Sequence, residues 1–155
     1  MLQIGDIAPV FSLPDADMEN FDLEAERGVH HVVLLFYPRD KTPGCTRVIA
    51  DLSDHEDEFS RHDAIVIGVS PDDCMTHAEF LDKQGLSVRL LSDEDKAVCR
   101  LYGATHPRED GLKDVVSRMT YIIDKQGIIR HVLNDASPQR THAHVTEVLS
   151  LIKEL

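Results

Sequence analysis

Alternating strand-like and helix-like segments, short apolar runs suited to buried strands, and a closing strand pair around a tight turn predict an α/β fold. The expected architecture is a mixed central β-sheet flanked by helices, with a small N-terminal β-hairpin. The chain has 155 residues, a comfortable size for one core, and no linker, repeat or low-complexity stretch divides it, so residues 1–155 read as a single domain.

Each element has a local reason. Phe11 to Leu13 and Phe21 to Leu23 flank the turn-rich Pro14-Asp15-Ala16-Asp17, the expected hairpin. Val32 to Tyr37 is a continuous apolar strand. From Pro43 to about His62, Cys45, Val48, Ile49, Leu52 and Phe59 recur at helical spacing with charges opposite. Ile65 to Val69 is a second apolar strand. Ser70-Pro71-Asp72-Asp73 supplies helix-start chemistry for a helix running to Gln84-Gly85, where glycine stops it. Leu86 to Leu91 is a weaker strand, Asp93 to Tyr102 a short helix ended by Gly103, and His106 to Ser117 polar and irregular. Met119 to Ile123 and Ile128 to Leu133 flank Asp124-Lys125-Gln126-Gly127, a hairpin turn, and Val145, Val148, Leu149 and Ile152 line one face of a C-terminal helix.

Composition excludes several partners. Sixteen basic residues against 28 acidic ones leave a net charge of −12, which repels nucleic acid and anionic membranes. The N-terminus has no signal-peptide pattern and no apolar run approaches spanning length, so a membrane role is not expected. Three cysteines at irregular spacing do not form a secreted disulfide framework. A reducing, cytoplasmic setting follows as the expectation. Nine histidines include the dense groups His30-His31 and His142-Ala143-His144, but neither group stands beside a zinc-like ligand set, and both read as solvated surface. The acidic runs Asp51 to Glu58 and Asp93-Glu94-Asp95 lack the ligand order and central glycine of a calcium loop. No metal or other cofactor is implied.

The chemistry concentrates at Cys45. The chain leaves the Val32–Tyr37 strand, turns through Pro38 to Lys41, and enters a helix with Thr42 at the N-cap position and Pro43 as first residue. Cys45 then lies in the first turn, where unpaired backbone N–H groups and the helix dipole favour negative charge on sulfur, the reactive form of cysteine. The Cys-x-x-Cys pair of disulfide reductases is absent, since Val48 and Thr42 occupy the two candidate positions. Attack on a peroxide O–O bond needs a thiolate, donors that polarise the bond, and a donor or cation for the departing oxygen. Cys45, Thr42 and the first-turn amides supply most of this, and an arginine from another strand would complete it.

Pro38-x-x-x-Thr42-x-x-Cys45 fits the P-x-x-x-T-x-x-C motif of peroxiredoxins. The longer Phe36-Tyr37-Pro38 … Thr42-Pro43-Gly44-Cys45-Thr46 resembles the bacterioferritin-comigratory-protein branch, or Q type. Further landmarks follow in order: Gly5-Asp6-x-Ala8-Pro9-x-Phe11-x-Leu13-Pro14-Asp15, Val66-x-Gly68-Val69-Ser70, Leu91-Ser92-Asp93 and Arg118-x-Thr120-Tyr121-x-Ile123-Asp124. The resemblance covers essentially the whole chain. It implies a thioredoxin-fold, thiol-dependent peroxidase acting on hydrogen peroxide and organic hydroperoxides. Cys45 would be the peroxidatic cysteine, Thr42 its hydrogen-bond partner, Arg118 the activating cation and Pro38 the shield that closes the pocket. The implied cycle passes through a Cys45 sulfenic acid, with thioredoxin, glutaredoxin or glutathione as reductant. It also implies a monomer or weak homodimer.

The chain departs from the pattern at the resolving cysteine. The two positions where this branch places it hold Ala50 and Leu81, and Val48 replaces a frequent glutamate. A one-cysteine mechanism resolved by an external thiol is therefore expected. The alternative is an atypical two-cysteine peroxidase with Cys74 as resolving thiol, which needs the loop and helix to rearrange. Cys99, in Ala97-Val98-Cys99-Arg100-Leu101, reads as a packing residue. A different class of function also stands: a thioredoxin-fold redox sensor or binding module that uses Cys45 oxidation with little turnover.

Overall fold

The computed structural model describes residues 2–107, 111, 114–134 and 141–155, with backbone only for 141–143. The chain runs β1 (Ser12–Pro14), β2 (Asn20–Asp22), a 3-10 turn (Leu23–Glu26), β3 (His31–Phe36), α1 (Pro43–Asp54), α2 (Glu56–Arg61), β4 (Ala64–Ser70) and α3 (Cys74–Gln84). It continues through β5 (Arg89–Ser92), α4 (Ala97–Leu101), β6 (Thr105–His106), β7 (Val115–Val116), β8 (Met119–Ile123), β9 (Ile129–Asn134) and α5 (Thr141–Lys153). Five strands form one mixed sheet in the order β5-β4-β3-β8-β9. β3 is central, parallel to β4 and antiparallel to β8. This is the thioredoxin-like arrangement the sequence implied, with the hairpin β1–β2 outside the main sheet. No helix among the described residues is long and apolar enough to cross a membrane.

The unbroken apolar character of β3 follows from burial on both faces. Val32, Leu34 and Phe36 point into one core with Phe11, Phe21, Tyr102 and Tyr121 from the hairpin, α4 and β8. Val33, Leu35 and Tyr37 point into the other, against Cys45, Ile49, Leu52, Phe59 and Val148 from the helical layer. Each such side chain, fully removed from water, contributes roughly 1.5–3 kcal/mol before entropy is counted. The α5 face read from sequence is the buried one, with Val145, Val148, Leu149 and Ile152 all enclosed.

Four local expectations need correction. The helix expected from Pro43 to about His62 breaks at His55, whose Nδ1 meets the Asp51 carbonyl at 2.8 Å while its amide bonds Leu52 O. That side chain competes for an i−4 carbonyl and closes α1. The helix expected from Asp93 starts only at Ala97, because Asp93 accepts from the amides of Val98 and Cys99 and Asp95 from Ala97. The weak strand begins at Arg89, not Leu86. The segment from His106 to Ser117, taken as irregular, contains β7, paired with β6 through Thr105↔Val116 and His106↔Val115; residues 108–110 and 112–113 lie outside the description.

The histidine groups are also not simply solvated. His31 is buried, and burial, with Lys125 nearby, holds its imidazole below the ordinary value. His144 is buried with Nε2 at 3.3 Å from Thr120 Oγ1, while the side chain of His142 lies outside the described residues. A side chain near a strand or on an amphipathic helix is placed by the pattern of its neighbours, and both histidines fall on core-facing positions.

The hairpin turn at Asp124 behaves as read. Asp124 Oδ1 accepts from the amides of Gln126 and Ile128, and Gly127 takes φ +80°. At α3, Asp73 accepts from Thr76 N at 2.7 Å, which holds its carboxyl below the usual range, and Gly85 ends the helix at φ +65°.

All three tyrosines are buried, and each phenol is raised above its ordinary value of 10.0, by burial first and, for Tyr37, by the Asp40 carboxylate next. The folded chain therefore keeps phenolic protons that the unfolded chain releases. That stability is fully present below the unfolded value and is lost as pH rises through the folded ones. We expect the ultraviolet phenolate signal of the native protein at pH 10.0 to lie below that of the denatured chain, which is half-ionised there. Equal signals from the native and denatured chains at that pH would contradict this packing.

Candidate active site

The site forms where β3 and β4 end. In open α/β sheets the crevice beyond the carboxyl ends of parallel strands is the usual place for chemistry. Tyr37 N still bonds Val69 O across the strand ends, and then the chain leaves the sheet. Lys41 adopts φ +69°, which turns the backbone sharply into α1. Thr42 holds the extended N-cap conformation at φ −81°, ψ 143°, Pro43 is the first helical residue, and Thr46 N closes the first turn on Thr42 O. Proline donates nothing, so the amides of Gly44 and Cys45 are the first-turn donors without an intrahelical acceptor.

Cys45 is 3% exposed and packs with Val48, Ile49 and Leu52 on the core side of α1. Thr42 occupies the cap position but its hydroxyl does not cap: it makes only a long 3.5 Å bond to Arg39 O. That leaves the hydroxyl available to the space beside the sulfur. Arg118 lies between β7 and β8, and its Nη1 is buried with no hydrogen-bond partner among the described residues. A buried guanidinium N–H without an acceptor is costly in a folded protein unless the site is built to meet one.

Pro38, Thr42, Cys45 and Arg118 line one cavity of about 780 Å³, together with Arg39, Gly44, Pro71, Lys96, Asp114, Val115 and Val116. The structure thus brings together all four residues singled out at Cys45's motif. Cys74 is not among the lining residues. It is the first residue of α3, partly exposed, three residues beyond the lining Pro71. Cys99 is fully buried in the opposite core, where burial and then the Asp93 carboxylate push its thiol up. Ala50 and Leu81 stand where cysteines would otherwise be expected, both half-buried on helices of the same layer.

Sequence reading missed the cations other than Arg118. Arg39, Lys96 and Arg118 face the same cavity against one acidic lining residue, Asp114, although the chain as a whole carries −12. Lys96 reaches the wall by its left-handed backbone and donates to Asp114 O, bracing the segment that leads into β7. Sequence separation hid this, since nothing local aims Lys96 at Cys45. Also missed was a buried polar cluster beneath the loop, Tyr37, Asp40, Ser70, Asp72 and His77. Three of its members, Asp40, Asp72 and His77, have ligand-type atoms within 4.8 Å of one another. Those atoms already have hydrogen-bond partners: Asp40 takes Tyr37 OH and His77, and Asp72 takes Asp40 N and Ser70 OH. The cluster is a hydrogen-bond network in form.

A helix-start thiol at the rim of this sheet is the layout of a thioredoxin-like thiol oxidoreductase. The comparisons with known proteins narrow the class. The model of the AhpC/TSA family matches residues 4–132. Peroxiredoxin Bcp of Escherichia coli (strain K12) is 39% identical over 155 residues, covering 99% of this chain and 97% of that protein. The chloroplastic peroxiredoxin Q of Triticum aestivum is 35% identical over 97% of this chain and 67% of its own length. Among solved structures, peroxidoxin BcpB of Mycobacterium tuberculosis superposes with a TM-score of 0.86 at 28% identity, over 98% of this chain and 99% of that one. The Xanthomonas campestris bacterioferritin comigratory protein, studied for alkyl peroxide reduction, gives 0.83 at 29%, over 93% and 90%. The chain belongs to the AhpC/TSA family, as a peroxiredoxin of the Bcp/PrxQ subfamily. It is a thiol-dependent peroxidase.

The idle Thr42 hydroxyl makes a separable prediction. Thr42→Val keeps the shape and removes a hydroxyl with only one long bond, so stability should change by less than about 0.5 kcal/mol. The rate of Cys45 oxidation by hydrogen peroxide should fall about 10²-fold, as when one preorganised donor is lost. A large drop in melting temperature with an unchanged oxidation rate would show that Thr42 is only a structural cap.

Proposed function

We propose that Cys45 is the peroxidatic nucleophile, with Thr42, Arg118 and Pro38 as the residues that make its attack on a peroxide productive. The observation that carries this is the shared cavity, which Cys45, Thr42 and Arg118 all line, with the Thr42 hydroxyl not used as a helix cap and Arg118 Nη1 buried with no hydrogen-bond partner among the described residues. The thiolate sulfur attacks one peroxide oxygen, an S–O bond forms as the O–O bond breaks, and the leaving oxygen takes a proton to depart as water or an alcohol. Cys45 is left as a sulfenic acid, two electrons more oxidised. Thr42 and Arg118 donate hydrogen bonds along the O–O axis, where charge develops. Pro38 walls the sulfur from bulk water, and the excess of cations on the cavity favours the anionic transition state.

For the second half of the cycle, the burial of Cys99 in the core on the other face of the sheet from Cys45 argues against it as a resolving thiol. We favour a one-cysteine cycle in which an external thiol (thioredoxin, glutaredoxin or glutathione) condenses with the sulfenic acid to form a mixed disulfide and water, and a second thiol then attacks the external sulfur and frees the Cys45 thiol. Cys74 supports the competing two-cysteine reading by its place: it starts the helix that follows β4, on the same rim of the sheet as Cys45 and beside parallel β3. A monomer or weak homodimer in a reducing compartment such as the cytoplasm suits either cycle.

Hydroperoxide consumption with a thiol reductant should be catalytic and should vanish in Cys45→Ser. Intact mass after one equivalent of peroxide separates the two cycles. A gain of one oxygen in both wild type and Cys74→Ser supports the one-cysteine cycle. Loss of two hydrogens in wild type, absent in Cys74→Ser, assigns Cys74 as the resolving thiol instead. Oxidation that stops after one event with every reductant would favour a sensor over a peroxidase.

A further inference from the structure

The segment 38–42, which carries Pro38 and Thr42 to the cavity, has little of its own to hold it. Arg39 and Lys41 are exposed, Lys41 has a positive φ, and the Thr42 hydroxyl bond is long. Its buried member is Asp40, 4% exposed. Asp40 Oδ1 accepts from Tyr37 OH at 2.7 Å, Oδ2 lies 2.6 Å from His77 Nδ1, and the Asp40 amide donates to Asp72 Oδ2 at 2.7 Å. Asp72 is held in turn by Ser70 Oγ at 2.8 Å.

His77 has 0% exposure and is gripped from both sides, by Asp40 and by Leu91 O at 3.0 Å from Nε2. A carbonyl only accepts, so the contact of Nε2 with Leu91 O makes Nε2 the donor there, and Nδ1 is left to bond the Asp40 carboxyl. Either partner alone would be an unmatched buried group. It is also a long-range tie, 37 residues apart in sequence. On one side is the loop bearing Pro38 and Thr42. On the other is α3, whose first turn begins at Cys74, preceded by the lining Pro71.

We propose that the Asp40–His77 pair, braced by Tyr37 and Asp72, is the joint that positions the catalytic loop over Cys45 and locks it to α3, so that the loop and the first turn of α3 open together. These are positioning residues, since they act on Cys45 through Pro38 and Thr42. The inference deepens the peroxidatic reading of Cys45 and rests on it for its kinetic arm.

The test measures three things in Asp40→Asn, His77→Gln, their double variant, and the milder Tyr37→Phe, which removes only the hydroxyl. Cys45 oxidation by hydrogen peroxide should slow about ten- to a hundredfold in either charge-pair variant, because reacting groups misplaced by an ångström cost rates of that order. Alkylation of Cys45 by iodoacetamide, which needs an accessible thiolate and no aligned loop, should hold its rate or rise. The double variant should be no slower with peroxide than the slower single one. Amide hydrogen exchange should rise in residues 38–46 and 71–77 together while 32–36 stay protected. Tyr37→Phe should move every readout in the same direction by less, and it stands in for the pair if those variants fail to fold. Peroxide and iodoacetamide rates falling in parallel, additive losses in the double variant, or exchange rising in only one of the two segments would each overturn the joint. If wild type failed to reduce peroxide, the peroxidatic reading would fall, while the exchange measurements would still decide the joint.

Discussion

The burial of β3 on both faces, between two paired neighbours, is the constraint on which the site depends. A strand paired to β4 on one side and β8 on the other has no freedom to slide, because a one-residue slip would exchange Val32, Leu34 and Phe36 for Val33, Leu35 and Tyr37 across the sheet. The end of β3 is therefore a fixed point. The turn through Lys41 and the proline-initiated helix place Cys45 a set number of residues beyond it. The Cys45 sulfur inherits its position from a strand paired on both edges and buried on both faces, although it sits on a loop-to-helix junction.

Around that point the structure assembles charge against the overall trend of the chain. A protein with net charge −12 gathers Arg39, Lys96 and Arg118 on the cavity that Cys45 lines. Three separate devices bring the distant cations there: the register of β8, the short β6–β7 ladder, and the left-handed turn at Lys96. Arg118 Nη1, buried with no hydrogen-bond partner among the described residues, departs from the rule that folded proteins satisfy their donors, and the Thr42 hydroxyl makes only one long bond. Both residues line the same cavity as Cys45. The Asp40–His77 pair beneath the loop is the opposite case, a fully matched set that holds its surroundings still.

Much of the fold was legible because hydrophobic period and turn chemistry are local. The hairpins, β3, β4 and β8 lie within a residue or two of their expected places, and α5 buries the face expected of it. Two of the errors came from side chains that compete with the backbone for hydrogen bonds: His55 closing α1, and Asp93 and Asp95 delaying α4. Periodicity does not report such competition. His31 and His144 were misread as surface for a related reason, since composition suggests solvation while position on a strand or helix face decides burial.

The sequence by itself determined the local setting of Cys45 and the family. Strand, turn, Thr42, Pro43 and Cys45 are consecutive, so their geometry is encoded in local backbone preferences. Only the tertiary structure decided what surrounds the sulfur. Arg118 reaches the cavity through the pairing of β8 with β3, and His77 meets Asp40 across 37 residues through the packing of α3. Those contacts join segments with no local preference for each other, and they exist only once the sheet and its two cores bring the segments together.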